Sequence, residues 1–190
     1  MLWMQALIAA WVLHVVAARP RHLAVTLALL VFVPLGDNHS VATAMRGLWG
    51  DPSLTSIQLM LLCFMGKTPA ALRDDWREPA ILVLSGCLLY ASALGPWDID
   101  LYRLGYQPLV LVLWFSVPGL IAWWRGSSLY LWLLVIDLLV WRACLIESTN
   151  FWDTLIDPLL ILSMTTIGLR NFYRIARTRH EQSKRSPQHE

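Results

Sequence analysis

The sequence predicts an all-α fold: a polytopic integral membrane helical bundle with about seven transmembrane helices. Three observations carry that expectation. Of the 190 residues, 57% are hydrophobic and 15% charged, with a mean hydropathy of +0.53. Soluble domains run at about 45–50% apolar and roughly 25% charged, and a water-soluble chain of this length cannot bury so much apolar surface. The apolar residues also fall into seven runs of near-spanning length, and the basic residues gather between alternate runs.

In order, the runs cover 2–18, 22–36, 52–66, 79–96, 107–124, 128–147 and 153–170. A spanning helix needs about 20 mostly apolar residues. No positive charge precedes the first run, as a secretory signal requires, so it is expected to be a retained first helix. The second and third runs are short: about 15 residues make a helix of about 22 Å, less than the roughly 30 Å hydrocarbon core. They either tilt against their neighbours or form a re-entrant pair buried in protein. The stretch between them leaves room for a short helix at the outer surface, with Ser40 as its cap. Pro20, Pro52, Pro79 and Pro108 stand at or near helix starts, where a missing N–H costs nothing, and Asp51 is expected to cap the third run. Gly36, Gly66, Gly95 and Gly126 fall at ends, where a left-handed residue closes a helix.

Charge placement gives the orientation. Arg19, Arg21, Lys67, Arg73, Arg77 and Arg125 follow odd-numbered runs, and Arg170, Arg174, Arg177, Arg179, Lys184 and Arg185 follow the seventh. Only Arg46 and Arg103 lie on the alternate connections, and Arg142 is inside a run. By the positive-inside rule the N-terminus is outside and the C-terminus cytoplasmic, in a bacterial-type inner membrane. Residues 1–170 are then a single transmembrane domain, and 171–190 a basic, partly disordered cytoplasmic tail suited to anionic lipid headgroups. The Lys67–Glu78 connection reads as a short cytoplasmic surface helix. Nucleic acid is not an expected partner of so short a tail.

Ionisable residues at membrane depth are costly and therefore candidates for function. They are His14, Asp137, Arg142 and Asp157, with Asp153 one turn from Asp157. Counting from a turn centred near Asn150 places Arg142 and Asp157 at similar depth, which predicts an ion pair fixing the register of the last hairpin. Pro158 is expected to kink the seventh helix. Asp137 is expected either to be protonated or bonded to Ser163, Thr165 or Thr166, or to bond His14 if the first and sixth helices touch. On the outer face, Asp37, His39, Asp51, Asp98, Asp100 and Glu147 form an acidic rim whose spacing matches no metal-ligand motif. Cys63, Cys87 and Cys144 lie inside apolar runs and form neither a disulfide framework nor a zinc site.

No HExxH, GxSxG, Walker or Rossmann motif is present, and neither metal nor cofactor is expected. The chain is therefore expected to be a non-catalytic subunit or assembly partner of a membrane complex, joined to another membrane protein or to copies of itself. One alternative is a small transporter or lipid carrier using Asp137, Arg142 and Asp157. Another is an intramembrane enzyme acting on a lipid-linked substrate through Asp153 and Asp157.

Overall fold

The computed structural model describes residues 2–15, 19–36, 39–95 and 100–185. It is 79% helical with almost no strand, so the chain is all-α. In order come α1 (Trp3–Val15), α2 (Arg21–Ala28) continued by a 3-10 turn Leu29–Phe32, the strands β1 (Pro34–Gly36) and β2 (His39–Ser40), α3 (Val41–Trp49) and α4 (Leu54–Phe64). There follow α5 (Ala70–Asp74), α6 (Arg77–Leu94), a 3-10 turn Leu101–Tyr106, α7 (Pro108–Trp124), α8 (Leu129–Arg142), α9 (Trp152–Leu155) and α10 (Pro158–Arg185). These elements make two compact units, Met1–Lys67 with Arg103–Leu160, and Thr68–Tyr102 with Ile161–Glu190.

In the first unit, α1 packs on α2 and α4. Ile8 and Trp11 of α1 meet Met60 of α4 and Leu159 in a buried cluster, flanked by Trp49 and Phe64. The second run, expected as helix to residue 36, loses its helix at Phe32. Pro34 is the cause: it has no N–H to donate and drives the preceding residue out of the helical region, and Val33 is extended (φ −61°, ψ 124°). The chain then forms the antiparallel β1–β2 pair. Ser40 caps α3 as expected, and Ser40 and Thr43 exchange hydrogen bonds in a capping box.

The cap of α4 is Ser53 rather than Asp51. The Ser53 side chain accepts the Ser56 N–H at 3.2 Å, while Asp51 is drawn away to Arg46. Three helices end alike, with a left-handed residue after the last turn and an N–H reaching back five residues. For α4 the left-handed residue is Gly66 (φ 70°), with the Lys67 N–H on the Leu62 carbonyl. For α7 it is Gly126 (φ 90°), with Ser127 on Ala122. For α8 it is Cys144 (φ 51°), with Leu145 on Val140.

The α8 ending sets the sixth helix five residues short of the expected boundary at 147. The seventh run is divided rather than kinked. Ile156 is extended (φ −135°, ψ 131°) after α9, and Pro158 becomes the first residue of α10, where its ring and missing N–H do no harm.

Within the second unit, α10 lies against the α5–α6 corner. Asn171, 1% exposed, donates to the carbonyls of Leu72 and Asp75 at 3.0 and 2.7 Å. Gly168 lets α10 approach Pro79, whose Cβ would stand 3.3 Å from a Cβ added there. The helix runs on to Arg185, well past the tail boundary expected at 170.

Among the described residues one helix, α6, is long and apolar enough by itself to cross a bilayer, and only 22% of it is buried. Trp3–Val15, Arg21–Phe32, Leu54–Phe64 and Pro108–Trp124 are apolar but shorter.

Candidate functional site

The N-terminal turn of α4 gathers several buried polar groups of the first unit. Ser53 and Ser56 are each 1% exposed, with the Ser53 hydroxyl 3.0 Å from that of Ser56. Asp157 takes a backbone N–H with each carboxylate oxygen, one from Ser53 and one from Leu160. Ser53 is the residue before α4, and Leu160 the third residue of α10. One buried carboxylate thus sits at the positive ends of two helices, where the aligned N–H groups and helix dipoles stabilise a negative charge.

Asp137, on α8 and 1% exposed, is the second carboxylate. Its two oxygens accept from the Thr55 hydroxyl and the Gln58 amide, each at 2.7 Å. Thr55 and Gln58 are three residues apart on α4, the spacing that puts two side chains on one helix face. Thr154 on α9 is fully buried, and its hydroxyl has no hydrogen-bond partner among the described residues.

This arrangement corrects several expectations. Asp157 does not pair with Arg142, whose side chain is exposed at the end of α8. The early end of α8 removes the residues from which their equal depth was counted. Asp137 bonds neither His14 nor the hydroxyls of the last helix. Thr165 and Thr166 donate to carbonyls of their own helix one turn back. The His14 ring lies 2.9 Å from the Arg19 carbonyl through Nδ1 and stacks on Phe64 at 5.6 Å. Asp153 accepts from the Ser148 hydroxyl.

On the acidic rim, Asp37 and Asp98 lie outside the described residues. Arg46 organises two of the others: its guanidinium meets both oxygens of Glu147 at 3.0 and 3.1 Å and Asp51 at 2.9 Å. The Glu147 hydrogen bond first, then the Asp51 charge, raise the Arg46 pKa above its ordinary value. A raised pKa means this contribution is fully present through neutral pH and is lost only as strongly alkaline pH passes the folded-state value. Asp100 accepts the Tyr102 N–H, and His39 is exposed on β2. Among the described residues no three His, Cys, Asp or Glu side chains are grouped to hold an ion.

Three buried amides escaped sequence reasoning. Gln5 is fully buried, donating to the Gly50 carbonyl at 3.0 Å and accepting from the Trp49 indole at 3.1 Å. Asn150 accepts the Trp152 N–H at 2.9 Å and presses on Gly105, where an added Cβ would fall 1.6 Å from its Oδ1. Asn171 is the third. For Asp137 the helical spacing of Thr55 and Gln58 was a readable signal. Gln5, Asn150 and Asn171 carry none in a single sequence.

Compared with family models, curated proteins and solved structures, the chain matches none.

Proposed function

We propose that the chain is a multi-pass inner-membrane protein of about seven crossings that acts as a non-catalytic subunit or assembly partner of a membrane complex. The membrane part is supported by the large apolar side chains facing outward, including Leu94 (86% exposed), Leu109 (75%), Trp114 (74%) and Trp124 (89%). On α7 alone, Leu109, Leu113, Trp114, Val117, Leu120, Ile121 and Trp124 are exposed, and a soluble monomer rarely leaves so much apolar surface together. The non-catalytic part rests on one observation. Both buried carboxylates are engaged structurally, Asp157 on the starts of two helices and Asp137 on a cross-link between α8 and α4.

The test is the size of the native species. Membranes extracted with a mild detergent are resolved on a native gel beside the purified chain. A species larger than the chain alone in its micelle, reproduced by cross-linking before extraction, is expected. Identical migration of native and purified material, with no cross-linked product, overturns the assembly role.

A second reading, a small carrier, is favoured by the break between α9 and α10. Interrupted helices whose N-termini face a polar group at membrane depth are the usual construction of transporter binding sites. If Asp137 handles a proton or solute, Asp137→Asn abolishes transport into proteoliposomes while leaving the fold intact. As a plain cross-link it is replaceable by asparagine, because the Thr55 hydroxyl and a turned Gln58 amide can accept from the new group.

A further inference from the structure

In the second unit α10 and the α5–α6 corner enclose an open cavity of about 330 Å³, lined by Ala70, Asp74, Asp75, Trp76, Arg77, Ile175 and Arg179. That is at the lower end of the roughly 300–1,000 Å³ common for small-ligand sites. Its lining divides by charge state. Asp74 is paired with Arg73 at 3.0 Å and Arg174 at 3.3 Å. Asp75 takes the N–H groups of Trp76 and Arg77 through Oδ1 at 2.7 and 3.1 Å. The Arg77 and Arg179 guanidiniums, by contrast, make no ion pair or hydrogen bond among the described residues. A cavity edged by two free guanidinium forks suits a phosphate, since the fork matches its oxygens.

Two further features extend the ligand beyond phosphate. Arg77 heads an outward stripe on α6: Ile81 (58% exposed), Leu84 (63%) and Leu88 (54%) follow it by four, seven and eleven residues. Those intervals keep one face of a helix, so an apolar tail running down from a phosphate at Arg77 meets the stripe along its length. The carboxylates of Asp74 and Asp75 in the same lining place negative charge beside the guanidiniums. Asp74 is already neutralised by Arg73 and Arg174, but Asp75 makes no ion pair among the described residues, so a headgroup joining phosphate to an ammonium meets a partner for each sign. Trp76, half-exposed and edge-on to Phe172 at 5.9 Å, supplies the aromatic ring typical of the headgroup level.

We propose that this cavity binds the headgroup of a zwitterionic phospholipid, phosphatidylethanolamine. Its phosphate lies on Arg77 and Arg179, its ammonium by Asp75, and one acyl chain along Ile81, Leu84 and Leu88. The inference rests on the membrane reading above.

The test uses the full chain, delipidated in detergent and titrated with phosphatidylethanolamine, phosphatidylglycerol or water-soluble glycerophosphoethanolamine, with bound ligand counted by native mass spectrometry. Phosphatidylethanolamine is expected to bind most tightly. The double change Arg77→Gln and Arg179→Gln is expected to weaken it about thirtyfold, on the order of fivefold per guanidinium. Leu84→Gln is expected to weaken the lipid but not the soluble headgroup. An unchanged affinity in the double variant, with its helicity and melting intact, overturns the site. Equal binding of phosphatidylglycerol overturns the zwitterionic assignment, and equal binding of glycerophosphoethanolamine overturns the lipid as the source. Alkaline carbonate washing of membranes separates the premise from the inference. A chain that resists the wash yet shows no such preference refutes only the lipid site, and a chain that washes off refutes the membrane reading as well.

Discussion

Replacing Asp157 by alanine leaves two buried backbone N–H groups, of Ser53 and Leu160, without their acceptor. Loss of an N-cap costs about 0.5–2 kcal/mol, and an orphaned buried donor about 1–3 kcal/mol. Asp157→Ala is therefore expected to destabilise the chain by about 2–4 kcal/mol. Asp157→Asn keeps one acceptor oxygen and is expected to fall between alanine and the native residue. Thermal melting of the three proteins in one detergent checks that order, and equal midpoints refute the double-cap role. The sequence marked Asp157 as important because a charge inside an apolar run needs a partner. The partner itself was not legible. It is a backbone N–H 104 residues away, and backbone groups look the same at every position. Arg142 was the visible alternative, and a full-length sixth helix would have brought it to the right depth.

At the scale of elements, the runs named the helices and local chemistry moved their ends. Ser40, Pro34 and Pro158 acted where their side chains or rings dictate, and Gly66 and Gly126 closed α4 and α7 as expected. Cys144 did not announce itself, because closing α8 requires a left-handed backbone that cysteine rarely adopts. Left-handed geometry costs an L-residue with a side chain about 1–2 kcal/mol, so Cys144→Gly is expected to raise stability by about 1 kcal/mol. Cys144→Ala keeps the Cβ and is expected to give no such gain. Matching melting curves for the glycine and alanine variants would show that the residue carries no strain. A similar limit applied to the short helices. Apolar length can be counted from sequence, but the point at which Pro34 turns a helix into a strand pair depends on its geometry with Val33 and on partners across the turn.

For the whole chain read as a membrane protein, the open point is whether the short pair α2 and α4 reaches the outer face. Side-chain links within the first unit bear on it directly. Gln5, near the start of α1, holds the end of α3 through Gly50 and Trp49. Arg46 of α3 holds Glu147 in the α8–α9 connection. On the proposed topology the N-terminus and that connection are on the outer side, which would put α3 and the β1–β2 pair there too. At the other end Arg21, which begins α2, lies against Gly66, which closes α4, and both adjoin the basic side. On the proposed topology the pair would run from one face to the other, even though α4, with 11 residues, is only about 16 Å long. A thinned bilayer or protein on its flanks accommodates that mismatch. Single cysteines at His39, Thr149 and Ser128, in a chain otherwise free of cysteine, test the arrangement. An impermeant thiol reagent on intact cells is expected to label His39→Cys and Thr149→Cys, and Ser128→Cys only after permeabilisation. Labelling of Thr149→Cys without His39→Cys would make the pair re-entrant from the inside, and early labelling of Ser128→Cys would invert the orientation.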